Sequence, residues 1–252
     1  MAALASALPD DVIGAMRADI AHALPVLESL RRSVMAVRHA SVGAVLVASR
    51  DGEAQTLWAS DAEEGAWAIR HVAHPGYIEL SRRDLVPVAE QALDLVAYDP
   101  SYHVCWYEGT DAPVGFEGRD IRKLDVRHVD QVISGYSHPE FYEREDYLRM
   151  LGEGRLLGGF DERGRLVGFV GEHAEGAIGM LEVFPAYRRQ GWARALQSAK
   201  MAEHLRQGWM PWCQVFAGND GSLALQRSLG MRCSPSPDHV GLMPRDWDAV
   251  AG

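Results

Sequence analysis

The run Ile178–Gly191, IGMLEVFPAYRRQG, continuing as WARALQSAK, constrains the fold more than any other stretch of the chain. The pattern over Met180–Val183 predicts a strand, and Pro185 follows it. A loop with Arg188, Arg189, Gln190 and Gly191 comes next, and then an alanine-rich segment, Gly191–Gln207, with the spacing of a long helix. The first turn of a helix leaves about four backbone N–H groups without partners, and its aligned dipoles add roughly half a positive charge. Gly191 and the small Ala193 let an anion approach that backbone, while Arg188 and Arg189 supply guanidinium groups suited to phosphate. Basic residues are unfavourable at a bare helix start, and an anion joining them removes the conflict. A diphosphate suits such a place better than a single carboxylate.

Around this run the chain orders itself twice over. At 252 residues it holds one large domain or two small ones. Apolar residues at helical spacing predict two helices between Ala5 and about Ala40, the second starting at Pro25. Ser41–Ala48 and Gln55–Ala59 predict a hairpin about Asp51-Gly52. Ala66–Ala73 and Tyr77–Leu80 read as strands about the His74-Pro75-Gly76 turn, Leu85–Val96 as a helix and Tyr102–Tyr107 as a strand. Residues 108–119, with three glycines and a proline, predict a linker. After it come strand Asp120–Leu124, helices Val126–Ser134 and Pro139–Leu151, and a hairpin of Arg155–Phe160 with Leu166–Glu172. Strand Ile178–Val183, the long helix, strand Cys213–Phe216, helix Ser222–Leu229 and two short strands in Met231–Met243 complete the order. Each half reads helix, helix, hairpin, strands, helix, strand, which predicts an α/β protein divided as 1–117 and 118–252.

Residues Arg188-Arg189-Gln190-Gly191-Trp192-Ala193 match the (Q/R)-x-x-G-x-(G/A) motif of the GNAT superfamily of acyl-CoA-dependent N-acyltransferases. Leu181-Glu182-Val183-Phe184-Pro185-Ala186-Tyr187 resembles the family's L-x-V-x-P-x-Y lead-in, and Asn219-Asp220-Gly221-Ser222-Leu223-Ala224-Leu225, ending in Leu229-Gly230-Met231, its second signature. The resemblance spans roughly residues 118–243. It implies the GNAT fold, a mixed central sheet flanked by helices, preceded here by a half that shows no signature and has the order of a degenerate GNAT-like domain. The two-part layout is also similar, more weakly, to the glycine N-acyltransferase-like branch.

The resemblance further implies acetyl-CoA, or another acyl-CoA, as co-substrate, and a small-molecule or peptide amine as acceptor. Backbone groups of Leu181, Glu182 and Val183 would hold the pantetheine amides like an added strand. Backbone amides of Arg188, Arg189, Gln190, Gly191, Trp192 and Ala193 would hold the pyrophosphate. Asn219 would contact the pantetheine arm, with Ser222 nearby, although Asn219 is also suited simply to cap its helix. Direct transfer needs a base for the amine proton and an exit for the thiolate. Strict alternation puts Ala177, Gly179 and Leu181 on the face of Val183 and Glu182 on the other, leaving Glu175 as the candidate base. The family's frequent acid, a tyrosine seven residues after the motif asparagine, is Gln226 here, so transfer would rely on a thiol acidic enough (pKa ~8.5) to leave unaided. Two alternatives stay open: transfer of a longer acyl group to a free amino acid, and a CoA-binding module without catalysis.

Composition narrows the partners. Thirty-five acids against 25 bases give a formal charge of −10, which opposes clamping of nucleic acid and mildly favours a cationic acceptor through steering. Cys105, Cys213 and Cys233 are scattered, with no C-x-x-C pair, which predicts free thiols in a reducing cytoplasm. Met1 to Asp11 holds two aspartates and no basic residue, unlike a secretory signal, and no window has the ~18–20 apolar residues of a membrane span. No metal site is expected: His71-x-x-His74 sits in strand-and-turn sequence without a third ligand nearby. Gly152-x-Gly154-x-x-x-Gly158 misses the dinucleotide spacing and precedes a hairpin, so it reads as a loop.

Overall fold

The structure, a computed structural model, describes residues 7–73, 75–98 and 101–245. Two compact units emerge, interleaved along the chain: residues 1–105 with 214–224 and 232–252, and residues 106–213 with 225–231. A single cut near residue 117, as element order suggests, does not describe this interleaving.

The first unit opens with helices α1 (Asp10–Ala18) and α2 (Ile20–Arg31). Strands β1 (Ala36–Ala40), β2 (Ala44–Ala48) and β3 (Ala54–Ala59) follow, then α3 (Ala62–Ala68), β4 (Tyr77–Leu80), α4 (Val86–Leu93) and β5 (Leu95–Ala97). With β13 (Val240–Pro244) they form a six-stranded sheet in the order β1-β2-β3-β4-β13-β5. Strand β2 is buried from end to end because both its faces are covered. Val45 and Val47 pack with Val12, Met16, Val26 and Leu27 of the helices α1 and α2. Ala44 and Leu46, one residue out of phase, pack with Ala68, Ile69, Leu85 and Ala89 beneath the opposite face.

Four expectations are corrected here. Pro25 lies inside α2 rather than at its start. Its missing N–H would have paired with the carbonyl four residues back; His239 Nε2 stands 3.0 Å from that Ala21 oxygen and satisfies it instead. The segment at Ala36–Ala40 is strand, not helix, and pairs with β2. Ala66–Ala73 is not a strand: α3 starts at Ala62 and runs into a 3-10 turn at Ile69–His71. Asp61 caps α3 by accepting from the amides of Glu63 and Glu64 at 3.0 and 2.9 Å, a signal of Asp followed by Glu three residues later. The helix expected through Val96 ends at Leu93, where Asp94 turns left-handed at φ 52°, and Leu95–Ala97 is strand. His74 lies outside the described residues, and His71 stacks its ring on His39 at 4.3 Å.

The second sheet has the order β12-β6-β11-β10-β9-β8-β7, formed by β6 (Tyr102–Trp106), β7 (Asp120–Lys123), β8 (Leu157–Phe160), β9 (Leu166–Glu172), β10 (Ile178–Val183), β11 (Trp212–Phe216) and β12 (Arg232–Cys233). In the second unit, α5 (Val129–Gly135) and α6 (Arg144–Gly152) cover one face, burying Val132, Tyr147 and Met150 against Phe169 and Met180. Helix α7 (Trp192–Arg206) is buried along most of its length. It carries Lys200 into the interior, where Nζ donates to Arg155 O at 2.9 Å and to Glu203 at 2.7 Å and lies 3.3 Å from Glu172. Helix α8 (Asp220–Ser228) follows β11.

Each sheet thus takes a strand from a distant part of the sequence. The expectation of free thiols also falls: Cys105 of β6 and Cys233 of β12 are joined by a disulfide across 128 residues, while Cys213 is free and buried. Spacing hid the pair because only the sheet brings the two strands together. Among the described residues no helix is long and apolar enough to cross a membrane.

Candidate functional site

Strand β10 carries an irregularity that decides where its side chains go. It pairs with β9 as Ile178 to Glu172 and Gly179 to Gly171, then as Glu182 to Phe169 and Val183 to Gly168. One extra residue is accommodated in β10, and Met180 takes φ 53° to do so. Paired residues share a face of the sheet, so Glu182 joins Gly179 on the face of Phe169 and Gly171. Strict alternation predicts the opposite, and the bulge overturns it. The Glu182 carboxylate accepts from the backbone N–H of Ser137 at 2.9 Å, and from its hydroxyl, just beyond α5. With β11 the strand forms one parallel pair, Ile178 with Cys213.

The turn after β10 is held from two sides. Tyr187 donates to Asp161 at 2.9 Å, and Arg165 holds the same carboxylate at 2.7 Å. Arg165 keeps Asp161 well below the usual carboxylate range, and the bond to Asp161 raises the Tyr187 phenol. Arg188 Nε donates back to Val183 O at 3.0 Å and Gln190 Nε2 to Ala186 O at 3.1 Å, closing the loop on itself.

The loop then enters α7 through two left-handed residues, Arg189 at φ 61° and Gly191 at φ 81°. A non-glycine residue is strained at Gly191, which is why the motif position takes glycine. No side chain caps the α7 N-terminus, and no acid stands in its first turn. The N–H groups there are left for another acceptor. Trp192 contributes backbone only, since its ring is buried over Gly159. Arg119, outside the motif, reaches the loop as well: Nη2 donates to Gln190 O at 2.7 Å, and the guanidinium lies 4.3 Å from the centre of the Trp192 ring. These residues fit a phosphorylated ligand such as acyl-CoA, being exposed and cationic, with no acid in the first turn of α7.

The other expected residues fall as follows. Leu181 and Val183 are half-buried along β10. Glu175 stands in the turn between β9 and β10, beside Tyr142. Burial first, and the Glu175 charge next, push the Tyr142 phenol well above its ordinary value. Tyr142 is hydrogen-bonded to His173 Nδ1, and the His173 ring covers Gly179 so closely that a Cβ there would collide with Nε2. Tyr142, His173 and the Glu182 side chain all belong to the bulged face, and no spacing in the sequence announced them. Asn219 Oδ1 accepts from Ser222 N at 3.0 Å, so the cap expected of Asn219 is formed. Gln226 is buried and accepts from Gln197 Nε2 at 3.1 Å. Among the described residues no three His, Cys, Asp or Glu side chains cluster as metal ligands do.

Comparison with known proteins bears on the family and the fold. The profile of the Acetyltransferase (GNAT) family matches residues 120–231. A solved Drosophila protein superposes with a TM-score of 0.65 at 16% identity, over 93% of this chain and 95% of that one. A structure described as a GNAT-family acetyltransferase from Novosphingobium aromaticivorans gives 0.55 at 17% identity, covering 87% and 96%. A GCN5-related N-acetyltransferase from Kribbella flavida gives 0.54 at 15% identity, covering 90% and 96%. At these identities the superpositions speak for the fold. No curated protein matches the sequence.

Proposed function

We propose, from the match of residues 120–231 to the GNAT acetyltransferase family and the likeness of the fold to GNAT structures, that the protein moves an acetyl group from acetyl-CoA to a primary amine. The observation that carries the reading is the start of α7, which is uncapped, acid-free, entered through left-handed Arg189 and Gly191, and flanked by arginines. In this reading the amides of Arg188–Ala193 bind the pyrophosphate. Leu181–Val183 offers backbone groups to the pantetheine, on the side where β10 pairs with β11 at one position. Asn219 and Ser222 belong to the same reading through the second motif.

Acyl transfer is family chemistry, and this chain's residues would supply orientation and a proton acceptor. Glu175 is the base expected from sequence, and the bulge adds Glu182, whose carboxylate is held by Ser137 on the face of Gly179. With Gln226 tied to Gln197, the thiolate leaves without an acid from that position. The same observation favours the second reading, a CoA-binding module without turnover.

Thermal unfolding with acetyl-CoA, beside Gly191→Glu, tests binding. Ligand at ~100 times its dissociation constant adds about 2.7 kcal/mol, or several degrees, and Gly191→Glu abolishes the rise. No rise with acetyl-CoA or longer acyl-CoAs sinks the reading. Thiol release with a panel of amines separates enzyme from module. In that assay Glu175→Gln or Glu182→Gln lowers kcat with little change in the KM for acetyl-CoA, and unchanged kcat in both removes the carboxylates from the proposal.

A further inference from the structure

We infer that Arg119, which belongs to neither motif, binds the diphosphate of the acyl-CoA beside the start of α7; this rests on the acyl-CoA reading above. Arg119 is the residue before β7, yet its guanidinium reaches a carbonyl 71 positions later, that of Gln190. The C=O and N–H of a trans peptide point in opposite directions. Holding the Gln190 carbonyl therefore fixes the plane of the peptide that enters α7. That peptide lies between two left-handed residues, where the backbone has no helical hydrogen bond to keep its plane.

The charge is placed at the same loop. A Cβ built on Gly191 would stand 3.3 Å from Arg119 Nη2, so the guanidinium borders the glycine itself. The Trp192 ring beneath it limits its rotation, and Trp192 is anchored in the core. Several arginines of this unit are paired with acids: Arg122 with Asp120, Arg127 with Asp125, Arg165 with Asp161. Among the described residues Arg119 has no carboxylate partner and commits one of its N–H donors to a carbonyl. An arginine has five such donors in a planar fork that matches phosphate oxygens. A half-buried guanidinium with unspent donors, beside open helix amides, is complementary to a diphosphate.

The test is calorimetric titration of CoA and of 3′-dephospho-CoA into the full chain, wild type, Arg119→Ala and Arg119→Gln, each checked for native circular dichroism. Glutamine keeps a donor for the Gln190 carbonyl but removes the charge. The expected result is a loss of about 10- to 100-fold in affinity for both variants, as for a charged hydrogen bond. The loss is equal for the two ligands, and added salt weakens wild type more than Arg119→Gln. Wild-type affinity in Arg119→Gln overturns the inference, and a loss seen only when the 3′-phosphate is present overturns the assignment to the diphosphate. Failure of the wild type to bind CoA overturns the acyl-CoA reading itself, a distinct result.

Discussion

Helices α3 and α7 each follow an inner strand of a mixed sheet, β3 and β10, and their first turns are built from opposite chemistry. At α3, Asp61 fills the amides of Glu63 and Glu64, and those two glutamates add negative charge where the dipole is positive. At α7 there is no side-chain cap, no acid, and a left-handed glycine bordered by arginine. The strands differ in the same sense. Strand β3 runs in register with its parallel neighbour β4 over Ala54 to Leu57, whereas β10 meets β11 in parallel at Ile178 alone. One junction satisfies its own backbone groups with a side chain; the other has no side-chain cap. A helix start is stabilised by an internal carboxylate or by an external anion, so the two junctions differ chemically at a handful of residues.

The largest expected effect concerns what anchors the open junction. Lys200→Met leaves Glu172 and Glu203 without their buried cation, and should cost about 3 kcal/mol in urea unfolding. A loss below ~1 kcal/mol would mean that the α7 start is not held by this network. Next, Gly191→Asp copies the acidic start of α3 onto α7. A carboxylate ~4 Å from the ligand's charge should weaken CoA at least 100-fold, and retained binding would break the contrast outright. Smaller is Asp61→Ala, which removes the α3 cap for about 1 kcal/mol of stability and creates no CoA site. Titration should give one CoA per chain in both wild type and Asp61→Ala; a second site in either erases the distinction between the halves.

The smallest effect is a pH dependence confined to the first unit. The hydrogen bond that His22 donates to Asp19 raises the pKa of His22 against its burial, with Asp238 adding to it. A raised folded value stabilises fully below the unfolded value of ~6.5 and fades as pH climbs through the folded one. Thermal stability should therefore decline modestly from pH 6 to 8, and His22→Gln should flatten that slope. An unaltered slope in the variant would assign the dependence to another group.

Much of this was legible beforehand, and the misses have physical causes. The β10–loop–α7 junction could be read because its requirements are local: a glycine for φ 81°, small residues, arginines and a proline after the strand. The capped start of α3 was local too, in Ser60-Asp61 followed by Glu64, but the apolar run Ala66–Ala73 outweighed it as a strand. Pro25 was misplaced because its lost hydrogen bond is replaced by His239, from the far end of the chain. The face of Glu182 was misassigned because a bulge exists only where two strands are paired.

The sequence by itself determined most elements of the second half, the glycine- and arginine-bearing loop Arg188–Ala193 and the absence of a tyrosine at position 226, since each depends on neighbours within a few residues. Only the tertiary structure decided that β13 enters the first sheet, that Cys105 meets Cys233, that Glu182 turns onto the face of Gly179, and that Arg119 stands over Gly191. Those outcomes depend on strand pairing and on contacts across 71 or 128 residues, and no local pattern encodes them.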